Sequence, residues 1–323
     1  MNSFRRVRFF CIFALETSIV HIPMTKKLFL FVFAMLLFMA CNPGPRPNDS
    51  QEVEEFYDQE AASAAADEAS TAETPSSAKE GRGGNIKMYE VPARLTDRPE
   101  QILHRQSFTI SYNKTTKTPN WVAWHLTKNH TYGRIQRETY AFDEDPGVSA
   151  PRATLDDYYN SRYDRGHMCP AGDNKWSEEA MRQTFLLTNI CPQNHGLNKN
   201  AWNDLEIQCR DWAREYGAVD VVCGPVYRTA TRTDGKMRPS SLQRFIGRNK
   251  VWVPDAFFKV VLCRGRDPKA IGFIYENRGG QQRMSDCMCT VDDVERLTGI
   301  DFYPLLADDV ERRIEAEASL REW

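Results

Sequence analysis

The chain has 323 residues, with 42 Lys and Arg against 44 Asp and Glu, a formal net charge of −2 and 41% hydrophobic residues. That length suits one large domain or two small ones, and the near-neutral balance excludes a strongly basic nucleic-acid scaffold. The charge is uneven: residues 1–41 carry +4, residues 42–82 carry −7, and residues 83–323 carry the remaining +1. Any grip on phosphates must therefore come from a local patch of the last part.

At the N-terminal end, Lys26 and Lys27 precede an unbroken apolar run from Leu28 to Ala40. The run has the length of a secretory signal's apolar core and is short for a membrane span. Met24 is an alternative start. Cys41 directly follows the run, as in a bacterial lipoprotein signal where the cysteine carries lipid, although Leu37 and Phe38 fit that pattern imperfectly. Plain cleavage with free secretion is the alternative. Residues 42–85 are rich in Asn, Pro, Ser, Ala, Gln and Glu, with few large apolar side chains to offset the entropy of ordering them. The expected organisation is a signal segment over 1–41, a disordered tether over 42–85 and a folded domain over 86–323. The expected location is outside a bacterial cytoplasm: periplasmic, outer-membrane-anchored or extracellular.

Within the domain, Ser107 to Asn113 and Trp121 to Leu126 read as strands. A polar loop carrying Arg134 and Arg137 follows, ending at Asp145-Pro146-Gly147. Tyr158 to His167 leads into Asp164-Arg165-Gly166-His167, where Gly166 is expected to permit a sharp bend. Ser177 caps a helix to about Leu187. Pro192 to Asn200 reads as an amide-rich loop. Trp202, Leu205, Cys209, Trp212 and Tyr216 recur at helical spacing, so Ala201 to Tyr216 is a helix, ended by Gly217. Val219 to Cys223, Phe257 to Cys263 and Ala270 to Tyr275 are strands. Thr290 caps a helix to Thr298, and Ala307 to Leu320 forms a charged terminal helix. Strands and helices mix without a βαβ rhythm, which predicts an α+β fold. Apart from Cys11 and Cys41, seven cysteines remain for the domain. Their spacing matches no standard zinc site, so disulfides or buried thiols are expected, with no pairing legible.

Phosphodiester hydrolysis needs a base for water, stabilisation of the charge that builds on phosphoryl oxygens, and a metal with open positions. His167 offers the base. Asn198 offers a hard amide oxygen, and Glu206 lies on the following helix, two turns on and roughly on the same side. Arg210, at i+4 from Glu206, can pair with it or reach a phosphate. Each residue alone has a plainer role: a satisfied histidine, a helix cap at Asn198, a solvated ion pair. His104, His125, His130 and His195 keep that plainer role. Joint occurrence lifts the set.

Asp164-Arg165-Gly166-His167, Asn189 with Pro192-Gln193, and Leu197-Asn198 with Trp202 and Leu205-Glu206 together resemble the DNA/RNA non-specific endonucleases, the ββα-metal nucleases. Trp121-Val122-Ala123, Gly224-Pro225-Val226, Phe258-Lys259-Val260 and Val294 to Gly299 extend the similarity over about residues 100–305. The resemblance implies an α+β fold with a ββα-metal core and a mixed or antiparallel central sheet flanked by helices. It implies His167 as general base and Asn198 as magnesium ligand, with manganese or another divalent cation as alternatives. Glu206 would act through metal-bound water, and Arg165, Arg210 and Arg137 would face phosphate, Arg134 competing with Arg137. Asn189 and Gln193 would organise the site. The implied activity is cleavage of DNA and RNA to 5′-phosphate ends, with a metal-bound water protonating the leaving oxygen and activity falling below a pH of about 6.5. Homodimers occur in such a family. Two other readings compete: a non-catalytic nucleic-acid-binding surface lipoprotein, which has no need of His167, Asn198 and Glu206 together, and a zinc- or disulfide-stabilised adhesin.

Overall fold

A computed structural model describes residues 88–323. The expected signal segment and tether, Cys41 included, lie outside the described residues. The first three strands are β1 (Gln101–His104), β2 (Thr109–Asn113) and β3 (Thr118–Thr127). β4 (Asp164–His167) and β5 (Ile190–Gln193) stand apart as a pair, and β6 (Ala218–Val226) returns to the main sheet. β7 (Thr231–Thr233) with β8 (Lys236–Arg238), and β9 (Phe245–Ile246) with β10 (Val251–Trp252), are small ribbons. β11 (Ala256–Cys263), β12 (Lys269–Glu276) and β13 (Met288–Cys289) complete a seven-stranded sheet in the order β1-β2-β3-β6-β11-β12-β13. Every pairing in it is antiparallel.

Helices cover both faces, so the strands read as apolar runs with a different layer on each parity. Val122, Trp124 and Leu126 of β3 and Phe257 and Val261 of β11 face one layer. Trp121 and Ala123, with Phe258, Val260 and Leu262, face the other. Before these covering helices come two short ones, α1 (Leu155–Tyr158) and α2 (Glu178–Thr184), the latter capped by Ser177. α3 (His195–Lys199) and α4 (Ala201–Tyr216) follow β5, and α4 packs Trp202, Leu205, Cys209 and Trp212 onto the first layer. After the short α5 (Met284–Cys287), α6 (Val291–Thr298) and α7 (Asp308–Glu315) cover the second layer with Val291, Val294 and Ile314. No described helix is long and apolar enough to cross a membrane.

Several local expectations change. The segment expected as an amide-rich loop holds β5 and α3, and a break at Asn200 (φ −114°, ψ −100°) separates α3 from α4. Asn198 therefore sits on a short helix of its own, ahead of the one that carries Glu206. The second and last helices are shorter than their sequence patterns, ending at Thr184 and Glu315. Gly166 makes no bend: it sits within β4, and a Cβ there would lie 2.2 Å from Gln193 Oε1 and 2.6 Å from Gln193 Cβ. Lack of room, not backbone freedom, requires glycine. All seven described cysteines are free thiols, five of them buried, so the disulfide alternative falls. Among the described residues no cysteine belongs to a metal-ligating cluster either.

Candidate active site

β4 and β5 pair antiparallel, with Asp164 opposite Gln193 and His167 opposite Ile190. α3 and α4 follow directly, giving a ββα unit set against the central sheet. One cleft of about 470 Å³ is walled by His167, Arg165, Arg137, Asn198, Glu206 and Arg210, which come from four separate elements. The imidazole and the carboxamide on which the sequence reading depends thus share one cavity. A neighbouring hollow of about 520 Å³ has Arg137, Asp164, Arg165 and Asn198 in common with it and continues past Tyr159 and Tyr163.

His167 is 9% exposed. Its ring lies between Phe142 and Phe185, with centroids 5.2 and 5.1 Å away. Its backbone oxygen accepts from Trp202 Nε1 at 3.3 Å, which ties β4 to α4. Its Nε2 has no hydrogen-bond partner. Burial first, then the nearby Arg137 and Arg165 charges, lowers its pKa to about 3. The imidazole is therefore neutral throughout the ordinary pH range, and the expected loss of activity near the usual histidine value is not assigned to it.

Asn198 is oriented by Asp164. The Asp164 Oδ2 accepts from Asn198 Nδ2 at 2.9 Å and lies 2.9 Å from His195 Nδ1. With its nitrogen so engaged, the carboxamide keeps its oxygen for another partner. Glu206 is half-buried, and burial raises its pKa to about 7, opposed by the Lys259 and Arg210 charges. Arg210 does not pair with Glu206; its Nη1 donates to Asp173 Oδ1 at 2.9 Å. Asp173 in turn accepts from Trp124 Nε1 at 3.0 Å. Gly172 makes room for this guanidinium, since a Cβ would meet Arg210 Nη1 at 2.9 Å. Arg165 lies over the Phe142 ring, 4.6 Å from its centroid.

Asn189 is brought close but not into the cleft. It is fully buried, accepts from Cys169 N, and donates to Cys169 O and Thr184 O, each at 2.9 Å. It fastens the segment after His167 to the end of α2, and is a positioning group. Arg137 lines the cleft, whereas Arg134 is not among its walls.

Three contributors were missed. His195 lines the cleft and contacts Asp164 across 31 residues of sequence, a separation that gives no local signal. Asp173 is a buried anchor for Arg210. Lys259 is wholly buried under the site, its ammonium 4.4 Å from the Trp202 centroid and 5.8 Å from that of Trp124, without a hydrogen-bond acceptor. A lysine between hydrophobic residues in a buried strand, Phe258-Lys259-Val260, was its only mark.

The donors at the cleft are hard oxygens from few residues: Asn198, Asp164 and Glu206. That set, beside an unpartnered imidazole nitrogen, fits a hard divalent cation that keeps most of its waters.

Comparison with known proteins gives the same placement. The family model described as DNA/RNA non-specific endonuclease matches residues 87–309. Mitochondrial nuclease EXOG of Xenopus laevis is 36% identical over 231 residues, covering 69% of this chain and 63% of that protein. Mitochondrial endonuclease G of Homo sapiens is 34% identical over 226 residues, covering 68% of this chain and 74% of that one. Nuclease C1 of Cunninghamella echinulata is 36% identical over 213 residues, covering 64% and 83%. The chain spans 55% to 63% of the length of the EXOG relatives it matches. A crystal structure of the EndoG/EndoGI complex aligns with a TM-score of 0.61 and 28% identity, over 72% of this chain and 95% of that one. The matches overturn the expected location. The EXOG, endonuclease G and yeast relatives are named as mitochondrial, so export from a bacterial cell is withdrawn. By the extent of the family match and the paired strands and helices that carry its motifs, the chain belongs to the DNA/RNA non-specific endonucleases.

Proposed function

We propose that this chain is a divalent-metal-dependent endonuclease that hydrolyses phosphodiester bonds of both DNA and RNA and leaves 5′-phosphate ends. The observation that carries the reading is the buried, neutral, unpartnered His167 imidazole lining the same cleft as Asn198. A neutral imidazole held between two phenyl rings can take a proton from water without changing its position. The water then attacks phosphorus in line. Arg165 and Arg137 face the cleft and supply positive charge for the phosphoryl oxygens. Asn198, aligned by Asp164, would hold the cation together with Glu206 acting through water. When bound, magnesium would supply Lewis-acid stabilisation of the phosphoryl and leaving oxygens. The adjoining hollow, with Tyr159 and Tyr163, offers a track for the nucleic-acid strand and ring faces for its bases.

The proposed nuclease domain spans residues 86–323. A nicking assay on supercoiled plasmid, and a parallel assay on single-stranded RNA, test the reading. With magnesium the wild type should cut both, and chelator should stop it. His167→Ala should lose at least about 1,000-fold in rate while still binding DNA in a gel shift. Full activity in that variant would refute the assignment. Binding without cleavage by the wild type across a series of divalent metals would favour a capture protein instead.

A further inference from the structure

On the face of the sheet opposite the cleft, α6 and α7 bring three carboxylates together. Asp292, Glu295 and Glu315 each offer an oxygen within 4.8 Å of the others. Asp292 and Glu295 are three residues apart on α6 and so share a side, while Glu315 closes the group from the last residue of α7. Glu315 is only 5% exposed, and its Oε1 is buried without a hydrogen-bond partner. A buried carboxylate oxygen with no donor is costly unless something outside the chain satisfies it.

The surroundings offer no basic partner. Arg296 turns to Asp293, and among the described residues no ion pair reaches Asp292, Glu295 or Glu315. One Glu295 oxygen accepts from Phe302 N at 2.8 Å, which holds that side chain in place. Asp301 and Glu311 stand nearby and add negative charge. Burial first, then the Glu295, Glu311, Asp292 and Asp301 charges, pushes Glu315 up to about 9; burial first, against the Phe302 N–H and helped by Asp301, Asp292 and Glu311, pushes Glu295 up to about 7. The cluster requires positive charge from solution, as protons or as a cation.

We infer that Asp292, Glu295 and Glu315 form a binding site for a hard divalent cation such as calcium, separate from the nuclease cleft. The ligands are all carboxylate oxygens, which select hard cations over zinc or copper. Calcium takes about 6–8 oxygens, carboxylates among them, at about 2.3–2.6 Å in flexible geometry, so three carboxylates can share it. The three oxygens lie within 4.8 Å of one another, close enough to reach one ion. Magnesium demands a stricter octahedron and usually keeps several waters with only one or two carboxylates. A bound cation would join α6 to α7 and hold both on the second layer of the core. Glu315 lies beyond residue 309, where the family match ends, so the site is a feature of this chain's own terminus.

Calorimetric titration of the whole protein with calcium chloride tests this, read alongside thermal melting with and without the ion. An Asn198→Ala background removes the cleft ligand, so calcium bound there reports the second site. That variant should bind one calcium and melt higher in its presence. Adding Glu315→Gln, which keeps the shape and removes the charge, should abolish both effects. Adding Asp292→Asn, at a half-buried position, should do the same and guards against misfolding of the first variant. Glu315→Gln alone should keep its magnesium-dependent nicking rate, which separates this site from the nuclease reading. No calcium bound by Asn198→Ala, or equal binding after either acidic substitution, would overturn the inference.

Discussion

At the scale of single residues, the arginines of the cleft divide into two kinds. Arg165 is exposed and reaches the cleft over a phenyl ring, whereas Arg210 is committed to the buried carboxylate of Asp173. Removing Arg210 strands that carboxylate. Arg210→Ala should therefore lose about 3–5 kcal/mol of stability as well as activity, seen in a urea titration. Arg165→Ala should lose rate at an unchanged melting point. Inactivity of the first variant alone would say little about phosphate binding. The histidines teach a related lesson. The Asp-Arg-Gly-His string marked His167, because four chemically distinct groups in a row are hard to meet by chance. His195 carried no such mark, since its meaning arises only when Asp164 is folded against it. The depressed imidazole pKa was equally hidden: it comes from Phe142, Phe185, Arg137 and Arg165, none of which is legible as a neighbour from spacing alone.

At the scale of elements, α4 was legible because five large side chains recur on one face over sixteen residues. β11 and β12 were legible as apolar runs. β4 was not: its four residues are polar or small, and its pairing with β5 joins segments far apart in sequence. That pair depends on Gly166. Gly166→Ala should cost about 1–3 kcal/mol by overpacking against Gln193, and a Gly166→Ala, Gln193→Ala double variant should recover part of it in melting experiments. α1 shows how a short helix is held. Asp157 Oδ2 accepts from Thr154 N at 2.9 Å and Thr154 Oγ1 at 3.0 Å, and the same carboxylate takes Asn249 N and Nδ2, each at 2.9 Å. Burial alone would raise its pKa, but these donors outweigh it and hold it below 3.8. A lowered folded value means that the contribution is complete above the unfolded pKa and is lost as pH falls through the folded one. The gap in melting temperature between wild type and Asp157→Asn should be wide at neutral pH and should narrow below a pH of about 4.

At the scale of the whole molecule, one antiparallel sheet separates the two helical layers, with the candidate active-site cleft on one side and the carboxylate cluster on the other. The α+β class was readable from the irregular order of strands and helices. The division into layers was not, because it depends on which parity of each strand faces which helix. The terminal segment belongs to both layers: Ile314 packs among the α6 residues, and Trp323 lies 4.6 Å from the Trp212 centroid on α4. A chain truncated after residue 306 should therefore melt well below the full protein and cut DNA poorly at 37 °C, whereas one beginning at residue 86 should melt and cut like the whole chain.

The free sulfhydryls packed between the sheet and α4 have a practical consequence. Burial keeps Cys209 and Cys223 protonated, with pKa values pushed up to about 12, and both are sealed from solvent. An alkylating reagent can meet them only when the layer under the cleft parts, so under native conditions the rate at which they take up label is a clock for that breathing. Cys287 and Cys289, only partly buried, should be labelled first and serve as the internal zero of the clock.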